Sequence, residues 1–226
     1  MTKILEKRKA LELRRFGKSY GQIRGELGLS KSTLSVWLRK YPLTKEQIWF
    51  LNGSNQARIE KYRQTMRLKR ERRLKRCYNE VKKMLLPFSK RELFIAGLFL
   101  YWGEGGKTER GAVTISNTDP SVLKFSLLWM REALGIPKDE INVLLHLYND
   151  MVIEEEMEFW SKTLHISRSQ FVNPYIKKSN RINLDEKGFG HGTCNLRVYN
   201  TIVKEKILMG IKAVADYSEE YVLNKF

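Results

Sequence analysis

From Asn55 to Leu86 the chain runs without a glycine or a proline, and it carries twelve lysines and arginines between Arg58 and Lys83. A helix this polar cannot be a core helix, because it has no apolar stripe wide enough to bury. Ile59, Tyr62, Met66, Leu74, Cys77, Val81 and Leu85 fall near helical spacing, but the stripe thins across Arg67-Leu68-Lys69-Arg70-Glu71-Arg72-Arg73. The pattern predicts one long helix whose ends pack and whose middle lies in solvent or along phosphates, with Arg67, Arg70 and Arg73 as candidate phosphate contacts. A plain solvated linker helix is the competing reading. Either way the helix divides the chain into residues 1–53, a basic linker helix at 54–88, and residues 89–226, with Pro87 ending the helix.

The charge follows the same division. Residues 1–89 hold 24 Lys/Arg against 7 Asp/Glu, whereas residues 90–226 hold 18 of each, so the whole formal charge of +17 lies in the first part. Solubility does not require so lopsided a distribution, and a nucleic-acid footprint is its default reading. An anionic membrane surface is the rival partner, and RNA bound along the basic helix is a third. Cys77 and Cys194 match no CxxC spacing, and His146, His165 and His191 are scattered, so neither a zinc site nor a disulfide framework is readable. No signal peptide is readable in these residues, and no apolar run reaches the ~20 residues a membrane span needs. The expectation is a cytoplasmic, nucleoid-associated protein without a membrane partner.

Residues 8–41 read as three short helices. Arg8 to Phe16 is the first, closed by Gly17; Ser19 caps a second; Gly28-Leu29-Ser30 makes a turn; and Ser30 caps a third that reaches about Lys40 before Pro42. Ile23, Leu27, Leu29, Leu34 and Trp37 are spaced so that two helices cross over one small core. The stretch LGLSKSTLSVWL resembles the second half of the helix-turn-helix of transposases, resolvases and many regulators. That resemblance implies a recognition helix entering the major groove N-terminus first. Lys31, Ser32, Thr33, Ser35 and Arg39 point away from the apolar positions and would face DNA. A protein-binding three-helix module is the alternative, and the basic, hydroxylic character of the exposed face speaks against it. Thr44 and Gln47 form a further capping box, and Asn52-Gly53 is the expected end of that short helix.

Beyond Pro87, Ser89 and Glu92 form another capping box ahead of an apolar run that continues to Trp102 and stops at Gly103-Glu104-Gly105-Gly106. This places a carboxylate at the buried C-terminal end of an apolar helix, where the dipole is negative and a cation is wanted. Ala112–Asn117 reads as a strand, and Asp119-Pro120 starts a helix over 122–134. Ile141–Tyr148 alternates as a strand, 151–164 is an amphipathic helix, and Gln170–Lys177 and Thr193–Tyr199 read as two more strands around a polar loop at 178–192. Two helices, 202–210 and from Ser218 onward, close the chain. The fold class is therefore α+β: an all-α helix-turn-helix, a long basic linker helix, and a domain whose antiparallel sheet is covered by helices on one face. The other face would show Thr114, Ser116, Asn142, His146, Tyr148, Asn195, Arg197 and Tyr199. Ser116, Arg197 and Tyr199 are candidates there for contact with DNA.

The order of apolar helix, Gly-acid-Gly, strand, ISNTDP and helix resembles the LAGLIDADG family of DNA-binding and DNA-cleaving domains over roughly residues 90–210. The resemblance implies that the open sheet face lies on DNA and that Glu104 binds a divalent metal such as Mg²⁺ and is catalytic. In that family two such helices pack side by side and their acids share the metal ions. One Gly-acid-Gly motif in this chain then implies a homodimer through the 90–103 helix. The expected function is a site-specific double-stranded DNA-binding protein of homing-endonuclease type that makes metal-dependent strand breaks. The alternative is a non-catalytic transcription regulator with a degenerate domain, which would need no cofactor.

Overall fold

The computed structural model of the chain describes residues 4–51, 55–179 and 190–225. They belong to two compact units, Met1–Leu86 and Pro87–Phe226. The content is mixed, helical throughout the first unit and α+β in the second.

In the first unit α1 (Ile4–Arg15), α2 (Tyr20–Leu27) and α3 (Lys31–Leu38) close over a small core. Ser19 starts α2 with a reciprocal capping box to Gln22, and Ser30 starts α3 by accepting from the Thr33 amide at 3.1 Å. Gly28 ends α2 at φ 64°, a left-handed position that only glycine takes without steric cost. With the chain turned this tightly, Ile23, Leu29, Leu34 and Leu38 share one buried cluster with Ala10 and Tyr20. α1 begins one turn before Arg8, and α3 ends at Leu38 with Arg39 as its C-cap. α4 (Lys45–Phe50) opens on the Thr44–Gln47 capping box, and its Ile48 packs with Leu43 and Ala57. The stop expected at Asn52-Gly53 lies outside the described residues.

α5 (Asn55–Leu85) is one continuous helix, but only its N-terminal end packs. Ala57 and Glu60 are buried, whereas every residue from Leu68 to Pro87 is exposed, including Leu74, Val81 and Leu85, which were expected to pack. Length is the reason. At 1.5 Å per residue the 31 residues of α5 extend about 46 Å, beyond the reach of helices of 6 to 12 residues.

In the second unit α6 (Lys90–Glu104) starts on the Ser89–Glu92 capping box and buries Leu93, Gly97, Leu98 and Tyr101, a single helical face. That face meets α7 (Pro120–Glu132). Gly97 is the point of closest approach, since an added Cβ would stand 2.0 Å from Cδ1 of the wholly buried Trp129. Strands β1 (Ala112–Asn117), β2 (Asn142–Tyr148), β3 (Tyr175–Lys177) and β4 (Thr193–Tyr199) form one sheet in the order β1-β4-β2-β3. β4 is antiparallel to both β1 and β2, with Arg197 opposite Thr114 on one side and Asn142 on the other.

β3 departs from the expected antiparallel sheet by running parallel to β2, His146 beside Tyr175. The cause is α8 (Ile153–Leu164), which connects them, because a helical crossover brings the chain back in the same direction. β3 also begins at Tyr175 rather than Gln170. Arg168–Gln170 forms a 3₁₀ turn, and the Gln170 amide donates to the carbonyls of Lys138 and Ile141 at 2.7 Å each.

α9 (Thr201–Lys225) is a single helix where two were expected. Ser218, read as the start of the second, donates to the Val214 carbonyl at 2.8 Å and so occupies an interior position. Gly210 does not break the helix; an added Cβ there would lie 3.2 Å from a Leu98 methyl, so the glycine lets α9 approach α6.

Val113 and Ile115 of β1, Val143, Leu145 and Leu147 of β2, and Cys194, Leu196 and Val198 of β4 join Tyr101, Trp129 and Trp160 in one core. Each large aliphatic side chain contributes about 1.5–3 kcal/mol by its burial. No helix among the described residues is long and apolar enough to cross a membrane.

Candidate nucleic-acid interface

α3 leaves Lys31, Ser32, Ser35 and Arg39 exposed and Thr33 half-buried. The hydroxyls of Ser32 and Thr33 each lie 2.8 Å from the Ser30 hydroxyl. The N-terminal cap of α3 thus engages both hydroxyls, while Lys31, Ser35 and Arg39 face solvent outside it.

Ser35 and Arg39 share a wall-to-wall cleft with Arg67, Arg70 and Arg73 of α5. The cleft, of about 590 Å³, lies within the first unit and is also lined by Leu38, Met66 and Leu74. Beneath it a buried ion pair ties α5 to α1. Arg14 of α1, 3% exposed, holds Glu60 of α5 at 2.9 Å and also donates to the carbonyls of Tyr41 at 2.9 Å and Lys18 at 3.0 Å. Glu60 accepts a second cation, Arg63, at 2.7 Å. The guanidiniums of Arg14 and Arg63 stand 4.6 and 4.0 Å from the Tyr20 ring centroid, so the ring is shared between α1, α2 and α5. Arg67 has Glu71 at 3.6 Å. Among the described residues, Arg39, Lys69, Arg70 and Arg73 have no carboxylate partner. Sequence reasoning missed the Arg14–Glu60 pair, which links positions far apart in the chain. Its one signal was a charged residue four places after Ala10, on the inward side of α1.

The sheet face away from the core is more occupied than its alternation implied. The Ser116 hydroxyl bonds Asn195 Oδ1, Asn195 Nδ2 donates to the Leu144 carbonyl at 2.7 Å, and Thr114 and Asn195 are buried. Glu109, from the loop before β1, accepts from Thr114 at 3.2 Å and ion-pairs with Arg197. Arg197 in turn donates to the Tyr199 hydroxyl at 3.0 Å. The one arginine of this face is therefore already met by an acid. Tyr199, 69% exposed, is its most accessible group. Burial and the nearby cations Lys177 and Arg197 lower the His146 pKa.

Glu104 is exposed, not buried as expected. α6 does not break at Gly103 but runs on to Glu104, and the chain leaves the helix only at Gly105 (φ −78°, ψ 142°). Glu104 thus stands at the rim of the core, where its carboxylate accepts from Asn117 Nδ2 at 3.3 Å. Among the described residues no three His, Cys, Asp or Glu side chains come together to hold a metal. One carboxylate fits Mg²⁺ only in company, since the ion is held by one or two carboxylates together with waters and substrate phosphates.

Lys204 of α9, 3% exposed, lies against the turn that follows this helix. Its ammonium donates to the Tyr101 hydroxyl at 2.5 Å and to the Gly106 carbonyl, which also receives the Tyr101 hydroxyl at 2.5 Å. Burial lowers the Lys204 pKa and pushes the Tyr101 pKa up to about 12. Lys107 reinforces the turn by donating to the Gly105 carbonyl at 3.2 Å. The signal for Lys204 was its place three residues before Ile207, on the buried face of α9.

On the outer side of α6, Ile95, Phe99 and Trp102 are 39, 50 and 38% exposed, and an added Cβ at Gly103 would meet nothing within 4 Å. Comparison with protein-family models, with curated proteins and with solved structures gives no match to this chain.

Proposed function

We propose that this chain binds double-stranded DNA at specific sites, with α3 in the major groove and α5 along the phosphates. The observation that carries this reading is the shared cleft, in which exposed side chains of the recognition helix and three arginines of the long helix face one space. Because the formal charge of +17 is confined to residues 1–89, affinity comes chiefly from the first unit and falls steeply with salt. The second unit is read as a LAGLIDADG-like domain that docks on the same DNA through Tyr199 and its neighbours. Such a protein works in the cytoplasm, at the nucleoid.

In this reading the partly exposed stripe of Ile95, Phe99 and Trp102 on α6 seats the same stripe of a second copy, forming the homodimer. Each copy then supplies one Glu104. The two Glu104 carboxylates would hold Mg²⁺, which when bound would supply an activated water and stabilise the leaving oxygen. Glu104 would hold the ion, while Lys204, Tyr101 and Lys107 fix the Gly105-Gly106 turn that follows it.

The second reading, a non-catalytic transcription regulator, is favoured by the exposure of Glu104 and its bond to an amide rather than to another acid. One experiment separates the two. The full chain is incubated with a randomised duplex pool in Mg²⁺ or in EDTA, and both bound and cut molecules are sequenced. Cut ends in Mg²⁺ alone support the nuclease, enrichment without cutting supports the regulator, and no enrichment in either buffer refutes the DNA reading.

A further inference from the structure

A helix of about 10–12 Å diameter fills a major groove about 12 Å wide, so whatever flanks the helix on its own protein meets the walls of the groove, which are phosphates. The cleft between α3 and the first half of α5 is such a flank. Arg39 is the C-cap of α3, eight residues after Lys31 and about 12 Å from it at 1.5 Å per residue. A recognition helix enters N-terminus first, so Arg39 stands farthest from the base edges. It lines the cleft together with Arg67 and Arg70, which project from the opposite wall.

We propose that this cleft clamps one sugar–phosphate strand of the duplex, with Arg39 acting as a phosphate ligand opposite Arg67 and Arg70 and not as a reader of bases. The proposal rests on the duplex-binding reading above and deepens it.

Three features fit a phosphodiester strand. Planar guanidiniums from two sides match the geometry of phosphate oxygens better than ammonium groups would. The apolar lining by Leu38, Met66 and Leu74 suits the sugar edge of the backbone. Glu60 ties α5 to Arg14 of α1, which also holds the Tyr41 carbonyl just past α3, and Tyr20 of α2 lies between Arg14 and Arg63, so α5 is anchored to the bundle that carries α3 before DNA arrives. α5 is thus, over its first half, part of the reading unit rather than a linker. Its register against α3 decides which strand is held.

The test uses the full chain and a selected duplex in which single phosphates are replaced, one linkage at a time, by neutral methylphosphonates. Wild type, Arg39→Ala, Arg70→Ala and the double variant are compared, each first checked for an unchanged melting temperature. A clamp predicts that one or two adjacent linkages on one strand weaken wild-type binding several-fold, and that the same linkages have no effect on either variant. Each substitution also lowers the magnitude of the log K against log salt slope by about 0.9, on selected and random duplexes alike. The clamp is overturned if Arg39→Ala keeps the wild-type salt slope and loses discrimination between sites. It is also overturned if the two variants respond at linkages on opposite strands; in both cases duplex binding itself still stands. Absence of duplex binding by the wild type overturns the underlying reading instead.

Discussion

Glu60→Gln is the change that most directly tests how the first unit is held together. It keeps the shape of a side chain that is 3% exposed and removes the carboxylate that faces Arg14. Arg14 is equally buried, and two of its donors, at 2.9 and 3.3 Å, lose their charged acceptor while those to the Tyr41 and Lys18 carbonyls remain. Arg63 loses the same acceptor but is 38% exposed, so water replaces it at small cost. Breaking a buried pair on one side costs about 3–5 kcal/mol, because a charge is left uncompensated. For a unit of this size each kcal/mol moves the melting temperature by about 4–8 °C, so the first-unit transition falls by roughly 12 °C or more. The assay is urea and thermal unfolding by circular dichroism, with Arg14→Met, Glu60→Leu and the Arg14→Met/Glu60→Leu double variant forming a cycle. The double variant recovers most of the loss, since an apolar pair of similar volume carries no unpaired charge. A Glu60→Gln cost below about 1 kcal/mol, or a double variant no better than the singles, refutes the reasoning that this pair locks α5 to α1.

Gly97→Ala drives a methyl into the Trp129 indole at 2.0 Å and destabilises the second unit by about 1–3 kcal/mol or more, read from its unfolding midpoint, while Gly103→Ala, in open space, changes stability little. Tyr101→Phe alters the alkaline limb of stability. Burial raises its pKa from the ordinary tyrosine value of 10.0 to about 12, so its contribution is complete below pH 10 and is lost as pH rises through 12. Lys204, whose folded pKa is lowered from 10.5, acts in the opposite sense, its penalty easing as pH approaches that value. Above 10.5 the lysine penalty is gone, and urea midpoints of the second unit there fall more steeply for wild type than for Tyr101→Phe. Glu104→Gln leaves the fold unchanged, because the side chain is exposed and keeps an acceptor for Asn117. In the nuclease reading it abolishes Mg²⁺-dependent cutting with DNA affinity in EDTA intact; retained cutting removes Glu104 from the metal site.

The sequence by itself determined what is local. Ser19, Ser30, Thr44, Ser89 and Asp119 cap helices where their spacing to the next glutamine, glutamate, amide or proline says they should, because a cap is decided within four residues. The glycine-free run became one helix, and alternation placed Val143, Leu145 and Leu147 on one side of β2. Tertiary structure decided everything that pairs distant residues. β3 runs parallel because α8 crosses over before it, and α9 stays whole because Gly210 meets Leu98 and Ser218 bonds within the helix. The same holds for the candidate sites: Arg14 finds Glu60, Arg197 finds Glu109 and Lys204 finds Tyr101 across gaps that no periodicity spans. A buried charge must find its counterpart wherever the packed chain places one, since leaving it bare costs several kcal/mol. Sequence shows which side chains are charged, but only the fold decides which of them water can still reach.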